Sequence, residues 1–74
     1  MAKVYRGIDK MDGAMSIFVD APKGLLIFED IPEATDERLL GVVSMMVAFA
    51  PDALYVEKED WDLRAADVVL LGEA

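Results

Sequence analysis

Nucleophilic catalysis needs a Ser, Thr, Cys or Lys activated by a neighbouring base. This sequence of 74 residues contains neither His nor Cys. Ser16 and Ser44 fall in a predicted strand and a predicted helix, where a hydroxyl has a surface or packing role. Carboxylates are the abundant ionisable group, and they recur as Asp9/Asp12, Glu29/Asp30, Asp36/Glu37 and Asp60/Asp62. Acid–base work by two carboxylates requires one of them in an apolar pocket that raises its pKa, beside a cleft for substrate. A chain this short offers little room for either, so no catalytic residue is expected. Asp9-Lys10-Met11-Asp12-Gly13 lacks the alternating oxygen ligands and closing Glu of a calcium loop, and Asp60-Trp61-Asp62 supplies only two carboxylates. The five glycines are scattered and build no phosphate-binding loop. The expectation is a non-enzyme with no metal and no cofactor.

The most conspicuous local feature is Glu57-Lys58-Glu59-Asp60-Trp61-Asp62, four acids around the single Trp. One reading is a charged edge strand followed by a short capped turn whose Trp61 folds back onto the core. The other makes Glu57, Glu59, Asp60, Trp61 and Asp62 a partner-binding patch, in which the acids steer a basic partner and the indole supplies a desolvated anchor. As an extended strand, Glu57 and Glu59 would project from one face about 6.7 Å apart.

Charge narrows the partners. Fifteen Asp+Glu against seven Lys+Arg give a formal net charge of -8. Such a surface repels nucleic acid and anionic membranes, so neither is expected as a direct partner. Asn and Gln are absent, which leaves few neutral amides for reading bases or sugars. A protein with a basic surface, such as one that binds nucleic acid, is the partner these properties suit. In size and charge the chain is similar to the small acidic inhibitors that phages make against host nucleic-acid machinery, a likeness of composition that no motif carries. An inhibitor or adaptor of that kind, which would mimic nucleic acid, competes with a second class, a homodimeric structural or regulatory subunit whose acidity serves solubility. In a third class the acidity reflects the host proteome. The N-terminal residues do not read as a secretion signal, and a cytoplasmic address is expected.

The elements that must position these residues follow from patterning. Apolar content of 55% supports one folded domain across residues 1–74. Lys3–Ile8, Ala14–Asp20 and Leu25–Ile31 read as strands, separated by turns at Asp12-Gly13 and Pro22-Lys23-Gly24. Thr35 is a good N-cap for a helix over Asp36–Ala50 that Pro51 ends. Ala53–Lys58 is expected as a fourth strand, Asp60 as the cap of a single turn through Ala65, and Val68–Leu71 as a fifth strand. The predicted fold is α+β, a mostly antiparallel sheet in the order βββαββ with the helix packed across one face. Either Leu26 and Phe28 or Leu25 and Ile27 should face that helix.

The helix itself raises a question. At 100° per residue, Leu39, Leu40, Val43, Met46, Val47 and Ala50 fill one face, as packing on a sheet requires. Val42, Met45 and Phe49 extend the apolar arc, and Gly41, Ser44 and Ala48 form a small-residue strip behind it. No charge occurs between Arg38 and Asp52. Either the last strand, the Trp61 segment or the N-terminal turn covers this back face, or it is the interface of a homodimer through Gly41, Val42, Ser44, Met45, Ala48 and Phe49.

Overall fold

A computed structural model describes residues 1–74. Three antiparallel strands come first: β1 (Lys3–Asp9), β2 (Met15–Ala21) and β3 (Gly24–Glu29). The long helix α1 spans Asp36–Phe49, a single turn α2 spans Trp61–Arg64, and β4 spans Ala65–Glu73. The sheet order is β3-β2-β1-β4 with every neighbouring pair antiparallel, so the chain is a small α+β domain.

Both expected turns form. Pro22 and Lys23 alone connect β2 to β3, closing on the Ala21–Gly24 pair, and Asp12-Gly13 lies in the turn between β1 and β2, where the Asp9 amide donates to Ala14. Gly7 has a different task. A methyl group there would sit 2.6 Å from Val68 Cγ1 and 2.8 Å from the Ala66 carbonyl oxygen, so β4 can approach β1 only because position 7 lacks a side chain. The register between β1 and β4 shifts at that point and again beside Val4/Tyr5. These bulges let the edge strand twist away from a flat ladder.

Alternation along the strands gives the sheet two differently covered faces. On one, Val4, Ile17, Val19, Ala21 and Leu26 join Leu39 and Val43 of α1 in a closed core. Phe28 also packs there, which settles the choice for β3: Leu26 and Phe28 face the helix. Arg6 ties the helix entry to this face, its Nε 3.1 Å from Asp30 and its Nη1 3.6 Å from Asp36. Thr35 caps α1 as its position requires, its Oγ1 accepting from the Arg38 amide at 3.2 Å.

The fourth strand expected at Ala53–Lys58 does not form. Asp52–Leu54 and Lys58–Asp60 are single 3₁₀ turns, and Val56 makes only an isolated bridge to Leu25. The sheet therefore has four strands, in the order βββαβ rather than βββαββ. The reason is topological. After α1 the chain returns at the edge of β3, yet its last strand pairs with β1 on the far side, so the intervening residues must cross the sheet face and cannot run along one edge. The last strand is correspondingly longer than expected, Ala65–Glu73 in place of Val68–Leu71. Backbone bonds between Ala2 and Ala74 extend its pairing with the segment before β1.

Candidate protein-binding surfaces

The crossing segment forms the second layer. Val56 is held at the β3 edge by two backbone bonds to Leu25, 2.9 and 2.8 Å long. Gly24 allows this approach, since a Cβ there would stand 2.7 Å from the Val56 carbonyl oxygen. At the other end, Arg64 grips the end of β1: Nη2 lies 2.6 Å from Asp9 Oδ2, and Nε donates to Oδ1 at 3.3 Å. Asp9 Oδ1 also accepts from the Met11 amide at 3.0 Å. The Arg64 guanidinium, followed by that amide, holds the Asp9 carboxyl below the usual carboxylate range against the opposing effect of burial. Lys10 adds two links, through its amide to the Arg64 carbonyl and through Nζ to the Asp62 carbonyl, both 2.7 Å.

Between these anchors Trp61 turns inward. Its ring packs near-perpendicular to Tyr5, with centroids 5.0 Å apart, and to Phe18, at 5.8 Å. Phe18 is fully buried and Trp61 half-buried. The indole that could anchor a partner is thus engaged with the sheet face away from α1, and what remains of it lines a shallow hollow of about 370 Å³ with Tyr5, Asp20, Leu25 and Lys58. Tyr5, Asp20 and Leu25 are absent from the sequence-derived patch. Period-two alternation places Phe18 and Asp20 on one face, but no local signal shows that Trp61 returns to it.

The acids predicted beside Trp61 remain outside. Glu57, Glu59 and Asp62 are exposed and Asp60 is half-buried. Because residues 58–60 form a 3₁₀ turn, Glu57 and Glu59 do not project from one face of an extended strand. Asp60 precedes α2 without a side-chain capping bond. The chain's ion pairs take up Asp9, Asp20, Asp30, Asp36 and Asp52, none of them from this patch. The one cation within the patch, Lys58, pairs with Asp20 of β2 at 3.2 Å. The four neighbouring carboxylates thus make no ion pair of their own, although the charge of Asp60 acts on nearby Arg64 and the Lys10 ammonium lies beside the Asp62 backbone.

The back of α1 is a second, chemically different surface. Gly41, Val42, Ser44, Met45, Ala48 and Phe49 are all exposed, Met45 to 65% and Phe49 to 79%. None of the last strand, the Trp61 segment and the N-terminal turn folds over it. The last strand packs on the sheet side, where Gly72 meets Leu40, and the Trp61 segment lies on the opposite face of the sheet. A helix without a charged face is normally enclosed, and beyond Arg38 α1 has none, yet this side of it is open.

No group of three or more His, Cys, Asp or Glu side chains is arranged to hold a metal ion. No helix is long and apolar enough to cross a membrane. Comparison with known proteins gives no significant match to a family model, a curated protein or a solved structure.

Proposed function

We propose that the protein is a non-catalytic protein-binding domain that uses its acidic surface to occupy a basic site on a partner, as an inhibitor or adaptor. The observation that supports this most directly is the state of Glu57, Glu59, Asp60 and Asp62: all four lack an ion pair, while the lysine among them is directed to Asp20. Carboxylates that make no ion pair produce a local negative field, which accelerates encounter with a basic partner and disfavours acidic competitors. A nucleic-acid-binding groove is the basic surface most in keeping with such a field, and a cytosolic setting fits a chain without Cys.

The test is association with the partner captured on the immobilised protein. Reversing Glu57 and Glu59 to Lys is expected to slow association about tenfold at low salt. The wild-type rate should itself fall steeply between about 0.05 and 0.3 M salt, as the screening length shortens. A partner whose affinity is indifferent both to salt and to charge reversal would overturn the reading.

A homodimeric subunit is the second reading, favoured by the continuous exposure of Gly41, Val42, Ser44, Met45, Ala48 and Phe49. Burying large apolar side chains that the monomer leaves in water gains about 1.5–3 kcal/mol for each one fully covered. The absence of charge between Arg38 and Asp52 keeps like-charge repulsion away from this contact. Light scattering over the micromolar range is expected to show a dimer that Met45→Asp converts to a folded monomer, because residue 45 is exposed within the protomer. A mass of 8.1 kDa for the wild type throughout that range would exclude dimerisation in this range.

A further inference from the structure

The hollow beside Trp61 already holds a cation, and the chain supplies it. Lys58 Nζ lies 3.2 Å from Asp20 Oδ1, with the two side chains 50% and 41% exposed. Both line the hollow together with Tyr5, Leu25 and Trp61. A carboxylate and an indole lining one hollow are a combination suited to a planar cation, since a guanidinium can form two parallel bonds to the carboxylate and stack on the ring. Lysine can offer Asp20 only a point charge.

We propose that this hollow is a binding site for a single arginine side chain of a protein partner, which enters by displacing Lys58 from Asp20. The proposal rests on the reading of the protein as a binder of basic surfaces and names the residue that is recognised. Three features make the exchange feasible. The Lys58–Asp20 pair is exposed enough that it contributes little to the fold. The Lys58 side chain is half exposed, so its displaced ammonium can be taken up by water. Trp61 is fixed by its perpendicular packing on Tyr5 and Phe18 and need not reorganise to accept a guanidinium. Lys3 stands opposite Asp20 in the β1–β2 register without forming an ion pair to it, and its charge limits the affinity for any one incoming cation.

The experiment is a titration with Nα-acetyl-arginine amide, followed by the indole N–H resonance and the fluorescence of Trp61, the single Trp of the chain. A saturable change in the millimolar range is expected. Asp20→Asn should weaken binding about tenfold, and Lys58→Gln, which removes the internal competitor, should tighten it several-fold, roughly the scale of one exposed charged contact. Both positions are half exposed, so both variants should melt close to the wild type, which shows that the site and not the fold has changed. No saturable change in either the wild type or Lys58→Gln would overturn the proposal, as would an undiminished response in Asp20→Asn.

A nona-arginine peptide separates this inference from the wider reading. If the peptide binds in a salt-dependent manner that Glu57→Lys with Glu59→Lys abolishes, while Trp61 does not respond and Asp20→Asn is without effect, the acidic-surface reading stands and the arginine site is overturned. If arginine amide moves Trp61 but peptide binding is insensitive to those reversals, the arginine site is supported and the role of the strip is overturned.

Discussion

Trp61→Ala is expected to destabilise the protein by about 3 kcal/mol, near the low end for loss of a large aromatic because the ring is only half-buried. The effect is large for its position because Leu54 and Leu63, the other large apolar side chains of residues 52–54 and 58–64, are exposed, so among them the indole alone packs on this face of the sheet. Removing the indole would deprive Tyr5 and Phe18 of their perpendicular partner and open the surface over Phe18, which is fully buried in the wild type. Domains of this length rarely net more than about 3–5 kcal/mol from one core, so the variant should be largely unfolded at physiological temperature. Trp61→Phe retains a ring on Tyr5 and should recover much of the loss. Thermal and urea unfolding followed by far-UV circular dichroism measure both variants. An alanine variant that melts with the wild type and fails only in binding a partner would show that the indole is a free anchor, contrary to its packing.

Breaking the Asp9–Arg64 pair should produce an effect of comparable size, with a characteristic dependence on pH. Asp9 is 3% exposed, and truncating Arg64 would leave its carboxylate buried with only the Met11 amide as partner. Breaking such a pair by removing one member costs about 3 kcal/mol or more, chiefly as the penalty of the uncompensated charge. The wild-type carboxyl has its pKa lowered by the hydrogen-bonded guanidinium. A group depressed in the folded state contributes stability that is present above its unfolded value of about 3.9 and is lost as pH falls through the folded value. In Arg64→Ala the direction reverses, because burial without a counter-charge raises the carboxyl, and protonation on acidification relieves it. The gap in urea midpoint between wild type and Arg64→Ala should therefore be widest near pH 7 and narrow as pH drops towards 3. A gap independent of pH would mean that Asp9 is not the group left unpaired. Asp9→Asn, which removes the charge but keeps an acceptor, should be less damaging than Arg64→Ala at neutral pH.

Much of the fold is carried by short-range signals. Asp12-Gly13 and Pro22-Lys23-Gly24 specify their turns locally, and Thr35 with Asp36 and Glu37 specifies the start of α1, because capping and turn chemistry act within a few residues. The alternation of Ile17 and Val19 against Phe18 and Asp20 fixes which face each occupies once a core exists. That α1 has no charged face is equally local, since no charge appears between Arg38 and Asp52, but whether the chain covers that face or leaves it open is not, and only the structure shows it exposed. The local properties depend on the order of residues and not on where distant parts of the chain meet.

Ala53–Lys58 shows the limit of that reasoning. Its composition suits a strand, with Leu54, Tyr55 and Val56 in sequence, yet strand formation requires a free edge along its whole length, and the pairing of the last strand with β1 sends this segment across the sheet instead. The same choice of strand order decides the fate of Trp61. In the sequence it stands among four acids and is equally consistent with a solvent-facing anchor or a core residue, because its neighbours are the same in both cases. Only the long-range meeting with Tyr5 and Phe18, and the clamp of Arg64 on Asp9 across a sequence separation of 55, turns the indole inward and leaves the carboxylates outside. The sequence by itself determined the acidity, the turns, and the helix with its lack of a charged face, all local or compositional properties. The tertiary structure alone decided the crossing of residues 52–64, the hollow between Trp61 and Asp20 and the pairing of Lys58 away from its neighbouring acids, because each depends on contacts between residues far apart in the chain.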